Sequence, residues 1–376
     1  CRNLSIFNCE TPERTLSFSR CTGVTFRGGN YVNGFHLRQT YGYLEIDRVN
    51  IEGTLGVDGV VENCTITNSS IHRTSFGGTV TLLAEHNNFY GRFLVGGPGP
   101  EIILRDNFND NLGIEPGNTI VENNTIRAIG IGNADGAVIR NNRILESISC
   151  SMDGQPFFYR NDIGIWNNSN HSLVEIQGEN TRPLFATNTF HSYDNTRDGE
   201  SLIVIWRSGD AEFYNNLFLG DGFGSRGINI GGTSGNVEGC EVIGDYNCFW
   251  GVDPVGVNFE IGEHSYVEDP RIMDRRERDA RPTVMSPLID AGLANGRWER
   301  RDPDGTTPDI GCYYFDQRED HPPFIDGEFE IEVDPFSDMV YEASIVDDGE
   351  EVEIRFEELP EWLQLTGEEQ NGLETI

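Results

Sequence analysis

The chain has 376 residues, a formal net charge of −35 and an isoelectric point near 4.4. Phosphate backbones bind basic surfaces, so this charge argues against nucleic acid as a partner. All 27 basic residues are arginine, so the chain can form no Schiff base, offer no lysine general base and make no lysine isopeptide crosslink. The acid excess fits either saline surroundings or a high-GC genome.

At the N-terminus, Cys1, Leu4 and Ile6 repeat as Cys21, Val24 and Phe26. Equivalent places on successive rungs suit a disulfide between Cys1 and Cys21. Eight cysteines suggest an oxidising compartment. The opening reads as that of a processed or truncated piece, without signal peptide or membrane span. A lipid on Cys1 would call for a polar tether, whereas Leu4 and Ile6 already look like core.

Further along, five octets share one pattern: residues 59–66 (GVVENCTI), 119–126 (TIVENNTI), 137–144 (AVIRNNRI), 183–190 (PLFATNTF) and 211–218 (AEFYNNLF). Each has apolar residues at the third and eighth places and Asn or Cys at the sixth. Phe108, Ile126 and Ile144 recur every 18 residues, and elsewhere the interval stretches to 28. A fixed strand and turn with elastic loops between is the signature of a solenoid. The segments are β-branched and aromatic at period two, bounded by Asn and Gly, and no convincing helix is present.

Asn tolerates the left-handed conformation of a sharp corner and bonds to nearby backbone. Rungs stack roughly 4.8 Å apart, so Asn124, Asn142 and their equivalents should form a column of bonded amides, with Cys64 in the same column. The expected fold is all-β, a parallel β-helix whose core includes Ile66, Ile126, Ile144, Phe190 and Phe218. A six-residue grid through Ile102, Phe108, Ile114, Ile120, Ile126, Val138 and Ile144 would suit a left-handed hexapeptide helix. The other coils ignore that grid, and the reading adopted is right-handed.

Between residues 157 and 207 the coils lengthen and polar groups gather with aromatics, including His171, Asp194 and Arg197. Tyr159, Trp166, Tyr193 and Trp206 are the candidate carbohydrate-binding residues, since aromatic faces beside Arg and Asp suit sugars. Were there chemistry, Arg160 or Arg207 would stabilise a uronate and His191 would be the base of a polysaccharide lyase. The bland alternative makes Trp166 and Trp206 solenoid packing and His191 and Arg207 solvated loop residues. The Gly-His-Gly and Arg-x-Lys strings of polygalacturonase-type hydrolases are absent. Cys240 and Cys248, close in sequence, are a second disulfide candidate.

From residue 245 the repeats give way to residues 245–251 (DYNCFWG), 268–272 (EDPRI), 286–292 (SPLIDAG) and 302–315 (DPDGTTPDIGCYYF). In that order they resemble the closing segment of secreted bacterial right-handed parallel β-helix proteins, including those called choice-of-anchor Q. The resemblance implies fold and export but no shared reaction, and Cys312 departs from the small residue usual there. A lid is physically apt, because an open solenoid end leaves an unpaired edge and exposed core. Asp302, Asp304 and Asp309 surround a tight Gly turn and could supply oxygen ligands to Ca²⁺, or could serve only as turn formers.

After Pro322 and Pro323, acidic residues dominate. Phe324, Tyr341, the run 347–349 (DDG), 359–363 (LPEWL) and 372–373 (GL) are similar to bacterial Ig-like, cadherin-like modules, which are about twice as long. That implies a longer native chain and a spacer or adhesive arm. The domains expected are 1–265 (β-helix), 266–316 (capping segment), 317–323 (linker) and 324–376 (partial β-sandwich module). The function expected is that of a secreted or cell-surface structural or adhesive part, partnered by polysaccharide, other copies or surface proteins; the alternative is a lyase of uronate-containing glycans.

Overall fold

In the computed structural model the described residues are 2–11, 15–96, 99–115, 117–151, 153–165, 172–192, 201–206, 209–220, 226–230, 240–254, 259–275, 277–319, 321, 324–326, 344–346, 368–370 and 373–375. They contain strands and turns and no helix. Twenty-four strands form one continuous sheet in which every pairing is parallel, so the chain winds as a β-solenoid. Among the described residues no helix is long and apolar enough to cross a membrane.

Strict alternation turns one side chain in two into the lumen. One interior column runs Phe26, Ile46, Ile66, Ala84, Leu104, Val121, Ile139, Phe158, Phe185 and Phe213. Past the corner, a second runs Tyr31, Ile51, Ile71, Phe89, Asn109, Ile126, Ile144, Ile163, Phe190, Phe218 and Phe249. In the later coils the rings stack rung on rung, Phe190 to Phe218 at 4.9 Å and Phe218 to Phe249 at 4.6 Å. Ile66, Ile126, Ile144, Phe190 and Phe218 are all fully buried, as expected, but they do not share one sheet face as the octet alignment implied: Ile66 lies in the first column and the other four in the second.

The corner between these columns divides its work between two residues. The first is left-handed, with φ near +55°, and its identity varies: His86, Asp106, Asn123, Asn141, Arg160, Thr187, Asn215 and Tyr246. The second is the ladder residue. Asn124 donates both its backbone N–H and its Nδ2 to Asn142 Oδ1, at 2.9 and 3.0 Å, and its Nδ2 also reaches Leu104 O. The same bonds link Asn87, Asn107, Asn124, Asn142, Asn161, Asn188, Asn216 and Asn247 in one buried file. Ser265 receives its last N–H and Ser69 begins it on Asn87.

Two sequence expectations fail at this corner. Cys64 pairs with Leu82 two residues before Ile66 in the first column, and Ser69 takes the ladder place instead. Phe108 follows the ladder residue Asn107 and therefore points outward, 39% exposed. Asn109 takes the interior place between Phe89 and Ile126, fully buried, with neither amide atom bonded within the described structure. An unpaired buried amide costs about 1–3 kcal/mol. Asn109→Ile should therefore raise the unfolding free energy by about 2 kcal/mol in a denaturant titration; no gain would mean that the register of this coil is misassigned.

The segment expected to cap the solenoid joins the last coil at its start. Tyr266 N–H donates to Asn247 O, and Phe249 N–H donates to Tyr266 O. Farther on, the chain lies along the flank of the later coils. There Leu217, Leu219 and Cys248, pointing outward, pack under Ala280, Leu288 and Ile310 as a second small core. Asn215 holds this strap through both sides of its amide, to Leu293 N and O.

Cys240 and Cys248 are free thiols. They cannot pair as expected because Cys240 packs against the main core while Cys248 belongs to the small outer one. Arg2 pairs with Thr22; Cys1, the expected partner of Cys21, lies outside the described residues. Beyond 323, the described strands Phe324–Asp326, Ser344–Val346, Glu368–Gln370 and Leu373–Thr375 form a small antiparallel sheet. The segments 341, 347–349 and 359–363 that carry the Ig-like resemblance lie outside the described residues.

Candidate functional site

Where the strap crosses the coils it covers two groups of ionisable side chains. The first starts from the residue after the Asn161 corner. Asp162 points outward between Arg143 and Thr189 of the neighbouring rungs. His191 lies opposite Gly164, and its ring fills the space above that glycine: a Cβ on Gly164 would come within 2.6 Å of His191 Nε2. The glycine thus lets the imidazole reach back to Asp162, with Nε2 to Oδ1 at 2.5 Å.

From the strap, Tyr313 donates its hydroxyl to Asp162 Oδ2 at 3.0 Å, and Cys312 donates its N–H to Thr189 Oγ1 at 3.0 Å. Burial would push the Asp162 carboxyl up. The bonds from His191 and Tyr313, with the charge of Arg143, outweigh it and hold the group below the usual range. An ionised Asp162 accepts from His191, so Nε2 carries the proton. Burial drives the Cys312 thiol and the Tyr313 phenol up, so neither supplies a nucleophile at neutral pH. A cavity of about 230 Å³ opens beside this group, lined by Arg143, Arg160, Asp162 and Tyr313 among others.

The second group centres on Arg160, the left-handed corner residue of its coil. Its Nη2 donates to Glu299 Oε2 at 2.7 Å and Asp302 Oδ1 at 2.6 Å, and its Nε donates to Tyr159 OH at 2.9 Å. The side chain is only 11% exposed. The guanidinium is therefore committed to carboxylates of the strap and not offered to an outside uronate. Farther along, Glu212 holds Arg182 of the coil and Arg297 of the strap, while Trp298 stacks on Tyr214 at 5.3 Å.

The expected Ca²⁺ ligands turn their oxygens inward to the strap's own backbone. Asp302 Oδ2 accepts the Asp309 N–H, and Asp309 accepts those of Asp290 and Phe315. Asp304 accepts from Thr306 and Gln317. Among the described residues no group of three or more His, Cys, Asp or Glu side chains is placed to hold a metal ion. Burial, followed by the charge of Asp309, pushes Asp302 up to about 7 against the pull of Arg160, and burial pushes Asp309 up to about 6.

Of the expected carbohydrate residues, Tyr159 stacks on Phe157 and holds Arg160 beneath the strap. Trp206 ends the strand Ser201–Trp206 opposite Gln177. Trp166, Tyr193 and Arg207 lie outside the described residues, as do His171, Asp194 and Arg197. Asp162, Tyr313, Glu212 and Glu299 were not foreseen; 151 residues separate Asp162 from Tyr313, so no local spacing announces the pair. A scan against protein-family models and a search of curated proteins both gave no match to this chain.

Proposed function

We propose that this chain is a structural or adhesive part of an exported, surface-displayed assembly. In this reading a right-handed β-helix is closed at its last coil by the start of the segment 266–316, strapped along its flank by the rest, and followed by an Ig-like arm, with polysaccharide or other copies as partners. The observation that carries the reading is the commitment of the chemically capable groups. Arg160 is neutralised by Glu299 and Asp302, and His191 is bound to Asp162 beneath the strap. A lyase needs a cation open to the uronate and a base free to take a proton.

Purified protein should release no unsaturated uronate, followed by its ultraviolet absorbance, from pectin or alginate with Ca²⁺ supplied. Sustained release that disappears in Arg160→Ala, Arg207→Ala or His191→Ala would replace this reading with a polysaccharide lyase.

A further inference from the structure

Leu83, Ile103, Ile120, Val138 and Phe157 are register partners on five successive rungs, one residue before the inward-facing column Ala84, Leu104, Val121, Ile139 and Phe158. They therefore point out of the solenoid. All five are half-buried, and none belongs to either core cluster. At roughly 4.8 Å per rung the stripe is about 19 Å long. It ends in polar Thr65 on one side and, on the other, at Leu184, which is buried beside the rung of Glu212.

A column of alternating charge runs beside it, two residues on: Glu85, Arg105, Glu122 and Arg140. Arg105 is paired with Glu85, and Arg140 Nη2 with Glu122 Oε2 at 2.5 Å. In a chain of net charge −35, this face is locally balanced and apolar. Those are the properties of a surface that leaves water.

We infer that the stripe is the contact face for a second copy of this chain, an inference that rests on the structural reading above. The argument is the order of the charges. A two-fold axis parallel to the strands, passing between the rungs of Ile103 and Ile120, reverses the order of rungs. It lays Leu83 against Val138 and Ile103 against Ile120, and sets Phe157 against polar Thr65 at each end of the contact. The same operation sets Glu85 opposite Arg140 and Arg105 opposite Glu122, so each charge of that column meets its opposite. Both stripes share one rung spacing, so the side chains stay in step along the whole contact, as in sheet-on-sheet packing.

Sedimentation equilibrium of the full chain tests this. Repulsion between two acidic chains opposes pairing, and salt screens it: the Debye length falls from about 10 Å at 0.1 M to about 3 Å at 1 M. A dimer should therefore strengthen with salt. Ile103→Glu with Ile120→Glu should weaken it at least about a hundredfold, since each copy would bury unpaired carboxylates. Arg105→Glu should weaken it, and adding Glu122→Arg should restore it, because the reversed order is again self-complementary. These side chains lie outside the core, and unchanged circular dichroism confirms that the variants fold. A monomer at hundred-micromolar concentration in both salts would overturn the inference, as would a dimer indifferent to the stripe and charge substitutions; either result leaves the uronate assay to judge the functional reading on its own.

Discussion

Asn142→Ala should cost about 3–5 kcal/mol and unfold the coils around it together. The Asn142 amide accepts from Asn124 N–H and Nδ2 and donates to Val121 O and Asn161 Oδ1. Alanine leaves the buried Asn124 N–H without an acceptor, at about 1–3 kcal/mol, and removes the other bonds at about 0.5–1.5 kcal/mol each. Each rung contacts only its neighbours, so the damage is passed along the file instead of being absorbed by a globular core. The left-handed residue just before it provides the contrast: Asn141, at φ 54°, supplies backbone geometry and is exposed. Asn141→Gly should be nearly neutral, because glycine adopts that conformation freely. Urea titrations of the two variants decide the matter. Equal midpoints would mean that the amide file is decoration and that the apolar columns alone hold the coils.

The solenoid was legible because its code repeats. Apolar residues at period two and an Asn at each corner recur often enough for one misread coil to leave the fold intact. The misreadings have a local cause. Asn63-Cys64 and Asn68-Ser69 are both corner-like pairs, and the left-handed Asn68 with the bond from Ser69 N–H to Asn87 Oδ1 shows which one turns the chain. At Phe108 and Asn109, apolar preference favoured Phe inward, but the ladder residue Asn107 fixes the parity of the strand that follows. The strap was illegible for another reason. Arg160 meets Asp302 across 142 residues, and a tight turn rich in Asp reads as a cation site when the backbone N–H groups that satisfy it are not in view. His191 was found, but its partner Asp162 was not, because reach across Gly164 is a property of neighbouring rungs and not of sequence spacing.

Arg160→Met should loosen the strap, and the loss should grow with pH. The guanidinium is the cation shared by Glu299 and Asp302 where the strap meets its coil, and breaking such a buried pair costs about 3–5 kcal/mol. The sign of the pH effect follows from Asp302, whose carboxyl sits at about 7 in the folded protein, above the ordinary carboxylate range. A raised carboxyl pKa gives stability that is complete below the unfolded value and is lost as pH rises through the folded one. Arg160 pulls that folded value down. Without it the value climbs, the losing window extends above pH 7, and the gap between variant and wild type widens there. Near pH 6, Asp302 keeps its proton and the gap reflects the loss of the Glu299 pair; near pH 8.5 it should be wider by up to about 2 kcal/mol. Hydrogen exchange at the Asp309, Gly311 and Cys312 amides reads the strap directly, since these N–H groups bond to Asp302, Asn215 and Thr189. Protection that falls in the variant and falls further at the higher pH is the expected result. Protection equal to wild type at both would show that the outer core of Leu217, Leu288 and Ile310 holds the strap without the ion pairs, and that Arg160 is open to another partner.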